Sequence, residues 1–292
     1  MSDFFGLPTG ILENDQIHLE YLLTAGPRII RFSTQGGPNL LVELPDFYID
    51  TTLGSFYFRG GHRLWCSPEL LPDTYCPDNE DLVVENMEAG IRLVQPNRNG
   101  ISKIMEIQLC PDQATVRLSH HLFNRGSKPV KLAPWAITML PLGGTAILPQ
   151  PIGNADPEGL LNNRFLALWP YTRLRDERLI LRDDYILIQA KPGLPPLKIG
   201  YYNPHGWLAY WRDGCLFRKC FDVRLGAIFS DSGCNAETYC NNHFVELESL
   251  GPLTTLKPGE GVNHTETWEL YDTLKVPFLP DEIRKTITPA GK

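Results

Sequence analysis

Two carboxylates lie two residues apart in the stretch HFVELESLGPL, residues 243–253. A strand here puts Phe244, Glu246, Glu248 and Leu250 on one face, and Val245, Leu247 and Ser249 on the other. At that period the two carboxylate attachment points are ~6.6 Å apart, within reach of one small ligand. Such a face looks either at water or into a polar cleft. In a cleft, Glu246 can take a proton, and His62, far earlier in the chain, can give one.

His62 sits in the densest polar cluster, FRGGHRLWCSPELLPDTYCPDNED, residues 58–81. That segment reads as a long loop carrying Arg59, Arg63, Trp65, Glu69, Tyr75, Asp78 and Asn79. Gly60 and Gly61 would let the backbone bend or let a ligand approach it closely. Aromatic rings suit the C–H face of a sugar, while Arg, His, Asp and Asn suit its hydroxyls. The bland alternative is a loop of solvated side chains, but a rigid loop of that length is more often functional. A carboxylate and an imidazole together are the acid/base pair that opens and recloses a hemiacetal.

Other chemistries lack their motifs. No G-x-S-x-G elbow, Walker loop, dinucleotide G-x-G-x-x-G or H-E-x-x-H occurs. His120 and His121 are adjacent, so a strand sends them to opposite faces, and no metal is expected. The seven cysteines form no C-x-x-C pair, and an odd number of them fits free thiols in a reducing, cytoplasmic compartment. The Asn263 sequon is read as chance, because the first residues carry no secretion signal.

The elements that must position these residues are short strands. Gly and Pro, 25 each, punctuate the whole chain. ATVRLSHHLFN alternates, with Val116, Leu118, His120 and Leu122 on one face. NRGSKP then turns, and VKLAPWAITML is expected to return as the second arm of a long hairpin. HTETWELY reads as a late strand after the turn LKPGEGVN. Helical turns are expected only at SPELLPD, opening at Ser67, and at PDEIRKTI. An all-β sandwich in a single domain spanning 1–292 accommodates this pattern. The net charge of −7 argues against nucleic acid or an anionic membrane as partner, and no segment approaches the ~20 apolar residues of a membrane span.

RGGHRLW early and VELESLGPLTTLKPGEGVNHTETWEL late resemble the galactose mutarotase-like (aldose 1-epimerase-like) superfamily. Its Glu-x-Gln strand, Pro-Gly turn and final strand match Glu246-Leu247-Glu248, LKPGEG and TETWEL in order. The resemblance implies a large antiparallel β-supersandwich, a carbohydrate ligand and no cofactor. It places the general base on Glu246, with Glu248 where a glutamine helps hold the sugar, and the early histidine on His62. The second histidine of the pattern falls in LAPWAITML, where Trp135 stands and offers a stacking surface. His62 or Lys219 would then have to supply the proton to the ring oxygen. Arg63, Trp65, Asn79 and Trp135 would position the substrate, with Asp78 in the same polar segment. Arg59, Arg63 and Lys219 would face a phosphate if the sugar carried one. The expected activity is isomerisation at an anomeric carbon, by a monomer or homodimer. The alternatives are a non-catalytic sugar-binding protein, or a lyase or hydrolase on the same fold.

Overall fold

A computed structural model of the chain describes residues 3–271. Nearly all regular structure is β. Among the described residues it forms an 11-stranded sheet, a 10-stranded sheet and a separate two-stranded ribbon, paired antiparallel throughout. The centre of the larger sheet runs Arg28–Thr34, His62–Ser67, Val130–Pro141, Phe244–Leu250, Ala236–Cys240, Leu197–Tyr201. The centre of the other runs Cys215–Phe221, Gly261–Tyr271, Thr115–Asn124, Ile101–Leu109.

The two sheets pack face to face. Ile29, Leu64, Leu140 and Leu247 from one meet Met105, Leu118, Phe217 and Trp268 from the other in a single apolar core. Strict alternation explains which residues go there. Thr115–Asn124 buries Val116, Leu118, His120 and Leu122, as its pattern predicts, and leaves Arg117 exposed. Val130–Pro141 is buried almost continuously, because it is covered on both faces.

That double burial corrects the expected hairpin. The strands Thr115–Asn124 and Val130–Pro141 lie in different sheets. The first pairs with Ile101–Leu109 and Gly261–Tyr271, the second with His62–Ser67, Phe244–Leu250 and Thr254–Leu256. The turn between them steps across the sandwich rather than along an edge.

The expected loop at residues 58–81 is also corrected. It begins as two strands, Gly54–Gly60 and His62–Ser67, so His62 and Arg63 are strand neighbours on opposite faces. Gly60 and Gly61 do turn the chain, at φ +82 and +69, but what approaches them is protein. A Cβ would stand 1.9 Å from the Val42 carbonyl oxygen at Gly60 and 2.1 Å from that of Ile29 at Gly61. The helical turn expected from Ser67 occurs instead at Asp73–Tyr75, because Ser67 ends a strand. The turn expected at PDEIRKTI lies outside the described residues. No disulfide joins any of the seven cysteines, and no helix among the described residues is long and apolar enough to cross a membrane.

The ribbon Glu43–Thr51 with Gly54–Gly60 lies against the outer face of the larger sheet. There Phe56 packs with Trp65, Trp135, Ile137, Met139, Phe244 and Leu250, and Phe47, Ile49 and Phe58 border them. It forms one wall of a cleft.

Candidate active site

The strand Phe244–Leu250 behaves as its alternation requires. Phe244 and Leu250 join the aromatic cluster on the outer face, while Val245 and Leu247 enter the core between the sheets. Glu246 therefore reaches the outer face, where it lines a cleft of about 360 Å³. Trp65, Trp135, Trp169, Tyr75, Tyr171 and Phe244 line the same cleft, with Arg63 and Lys198 as its cations.

Arg63 and Glu246 meet because His62–Ser67 and Phe244–Leu250 flank Val130–Pro141 on its two sides. The Arg63 Nη2 donates to Glu246 Oε1 at 2.9 Å. Its guanidinium lies 4.0 Å from the centre of the Trp65 ring, a cation–π contact, and its Nε and Nη1 have no protein acceptor. Burial pushes the Glu246 carboxyl up to about 7, opposed by Arg63 and reinforced by the nearby Glu248 charge. A carboxylate poised there exchanges protons readily at neutral pH.

Glu248 is fully buried beneath the cleft. It accepts from Trp135 Nε1 at 2.8 Å and from Lys198 Nζ at 2.9 Å. Lys198 also lies 2.9 Å from Glu237 Oε2, and its ammonium is 4.6 Å from the ring centres of both Trp135 and Trp169. Burial opposes the Lys198 charge, but Glu237 and Glu248 outweigh it and hold its pKa well above the ordinary lysine value. Burial, with Glu248 nearby, raises the proton affinity of Glu237 in turn, against the pull of Lys198. Lys198 and Glu237 were not singled out from the sequence. The available signal was a lysine between buried Leu197 and Ile199, and a glutamate between buried Ala236 and Thr238.

His62 and Lys219 project the other way, into the space between the sheets. The His62 Nε2 lies 2.8 Å from His120 Nε2, and its Nδ1 lies 2.9 Å from Thr138 Oγ1. Lys219 Nζ donates to Thr138 Oγ1, Ala136 O and Leu247 O and pairs with Glu266 at 2.9 Å. His120 Nδ1 faces the His264 carbonyl at 3.2 Å and must donate to it, which leaves Nε2 as an acceptor for His62 Nε2–H. Thr138 then donates to His62 Nδ1. Ser249 donates to Glu266 and accepts from His264 Nε2, and Trp268 Nε1 donates to Glu266 Oε2 at 2.9 Å. Burial drives the histidines toward the neutral form: His62 well below the ordinary value, His120 to about 4, His264 to about 3.

His62, His120 and Glu266 are the one group among the described residues with metal-ligand spacing, their ligating atoms within 4.8 Å of one another. The hydrogen bonds above account for both His Nε2 atoms, and Lys219 neutralises Glu266, so the group is satisfied as it stands.

The remaining expected residues do not line the cleft. Asp78 accepts from Arg28 at 3.0 Å, and Arg59 donates to Asn79. Arg59 sits at φ +55 over the Tyr57 ring. Of the ten expected site residues, then, Glu246, Arg63, Trp65 and Trp135 gather in the cleft. Glu248 supports it from below, and His62, Lys219, Arg59, Asp78 and Asn79 have structural partners elsewhere.

No family model and no curated protein matches the chain. Solved structures do. A galactose mutarotase-like protein from Lactobacillus casei aligns at 11% identity and TM-score 0.55, over 90% of this chain and 100% of that one. The fold is galactose mutarotase-like. A protein from Escherichia coli, provisionally named an aldose 1-epimerase, aligns at 13% identity and TM-score 0.54, over 91% of this chain and 100% of that one. A TPR-domain containing protein from Parabacteroides distasonis aligns at 18% identity and TM-score 0.56, over 94% of this chain; the chain spans 50% of that protein. At such identities the likeness is one of fold. On this galactose mutarotase-like scaffold, the aromatic cleft and its carboxylate are features of the chain's own residues.

Proposed function

We propose that the chain binds a carbohydrate in the aromatic cleft and interconverts its anomers, with Glu246 as general base. The observation that carries this reading is the Glu246 carboxylate, with a pKa of about 7, lining a cleft walled by three tryptophans; the other lining carboxylate, Glu69, accepts from the Tyr75 hydroxyl. The names of the structural neighbours support the sugar class. Indole faces cover the C–H face of a pyranose, and Arg63 bonds its hydroxyls.

In the reaction, Glu246 takes the proton from the anomeric hydroxyl as the C1–ring oxygen bond breaks. The ring oxygen needs a proton in return. His62 is on the wrong face to give it, and Lys198 is the cation of the cleft that can. Lys198, held at 2.9 Å by Glu237 and by Glu248, gives this proton and takes it back when the ring recloses. Rotation about the C1–C2 bond of the open chain and the reverse transfers give the other anomer, so no proton is consumed.

The second reading is a sugar-binding protein without turnover. It is favoured by the absence of a histidine among the described residues that line the cleft and by the stability of the Lys198 charge. Anomer exchange measured by NMR across a panel of aldoses and sugar phosphates separates the two. Acceleration lost in Glu246→Gln supports the enzyme. Ligand line broadening in both proteins without acceleration supports the binder. Neither effect with any sugar of the panel sinks the carbohydrate reading.

A further inference from the structure

A second cavity, of about 370 Å³, shares no lining residue with the cleft. The separation follows from strand alternation. Trp65 faces the cleft, and its neighbour Cys66 faces this cavity, at an open end of the space between the sheets. Cys66, Ile101, Val130 and Leu132 give it an apolar floor.

Its rim is basic. Lys103, Lys128 and Lys131 line it, and among the described residues no carboxylate pairs with any of the three. Of the other lining charges, Arg98 pairs with Glu80, while Asp73 accepts from Asn99 Nδ2 at 2.7 Å and keeps its negative charge, so the lysines leave the rim net positive. In a chain of net charge −7, three unmatched ammonium groups around one cavity are a local reversal of sign. Lys103 is close enough to Cys66 to pull its thiol pKa down, against the larger upward push of burial.

The rim is also held in place. Asn99 and Gly100, at φ +50 and +80, make a two-residue hairpin turn between Arg98 and Ile101. Arg125 N donates to the Gly100 carbonyl at 2.7 Å, which ties that turn to the loop carrying Lys128. Asn124 Nδ2 donates to the Lys128 and Leu256 carbonyls at 2.8 and 3.0 Å. Beside these lies Gln95, only 4% exposed, whose Oε1 has no partner. A buried acceptor left open is costly unless something donates to it.

We propose that this cavity is a second binding site, for a small organic anion that carries a phosphate or carboxylate for the lysines and a hydroxyl for Gln95. Its body would rest on the apolar floor. The site is independent of the sugar reading, since it uses none of the cleft's residues.

Two matched probes distinguish the anion: 4-hydroxyphenyl phosphate and 4-hydroxybenzoate, with neutral hydroquinone as control. Titrations by calorimetry and by backbone NMR on the full chain should show saturable binding of at least one anion at millimolar concentration or below. Shifts should fall at residues 95–103 and 124–132, and hydroquinone should bind far more weakly. Which probe binds names the anion. The double variant Lys103→Ala/Lys131→Ala should weaken binding about tenfold or more. It should leave the melting temperature and any anomer exchange unchanged, because neither lysine is in an ion pair or in the cleft. Lys128→Ala, at an exposed position, is the second variant and should weaken binding in the same direction. No saturable binding of either anion, equal binding of hydroquinone, unchanged affinity in the lysine variants, or shifts confined to the cleft would each overturn the proposal.

Discussion

Arg63 and Glu246, 183 residues apart in sequence, are joined by a 2.9 Å hydrogen bond across the strand Val130–Pro141. The bond lies on the outer face of the larger sheet, where Arg63 also stacks on Trp65. It places the tuned carboxylate in the cleft and limits how far burial can raise its pKa. One residue earlier, His62 faces the opposite way and is committed to His120 and Thr138.

Replacing Glu246 by Gln keeps an acceptor for Arg63 and removes the base. Anomer exchange should fall about 10²–10⁴-fold, with the melting temperature little changed. NMR exchange rates beside a thermal melt check both. A drop of less than tenfold would mean that Glu246 is not the base.

The rate should rise with pH through a midpoint near 7, because the base must be ionised to act. Arg63 lowers that midpoint, so Arg63→Met should shift it upward and slow the reaction at neutral pH. A pH–rate profile of both proteins reads the shift directly. An unmoved or lowered midpoint would contradict the pairing as the control on Glu246.

Lys219 and Glu266 are fully buried partners at 2.9 Å. Lys219→Met leaves the carboxylate without its counter-charge and should cost about 3–5 kcal/mol of stability. Adding Glu266→Gln should recover part of the loss, since the two changes are coupled. Denaturant unfolding of the three variants measures this, and strict additivity would argue against coupling.

The buried histidines make the fold sensitive to acid. His120 and His264 have folded pKa values of about 4 and about 3, below the unfolded value, so the unfolded chain binds more protons in that interval. Their stabilisation is complete above about pH 6.5 and is lost as the pH falls toward 4, by up to about 1.4 kcal/mol per pH unit for each. Glu246 works in the opposite sense. Its raised pKa stabilises below about 4.5, and that contribution is lost as the pH rises through about 7. Subtraction isolates the histidines: His264→Gln, which can still donate to Ser249, should show a smaller drop in melting temperature between about pH 7.5 and about pH 5 than the wild type. An equal drop would assign the acid sensitivity elsewhere.

What the sequence determined by itself is local. The two-residue period assigned Phe244, Glu246, Glu248 and Leu250 to one face and Val245 and Leu247 to the other. It separated His120 from His121 and indicated an all-β chain, because a strand's alternation is a property of the backbone and needs no partner. The tertiary structure alone decided which strands pair, and so which faces meet. The strands around NRGSKP looked like two arms of a hairpin, yet they lie in opposite sheets. Whether His62 or Arg63 would share a cleft with Glu246 depended on the register of two strands against Val130–Pro141, and a slip of one residue would exchange them. The pairing of the neighbouring strands brings Lys198 into the cleft, with Glu237 beneath it, from strands that read as ordinary buried segments. Parity along one strand is written in its residues, whereas parity between strands is fixed only when the sheets pack and the core selects one register.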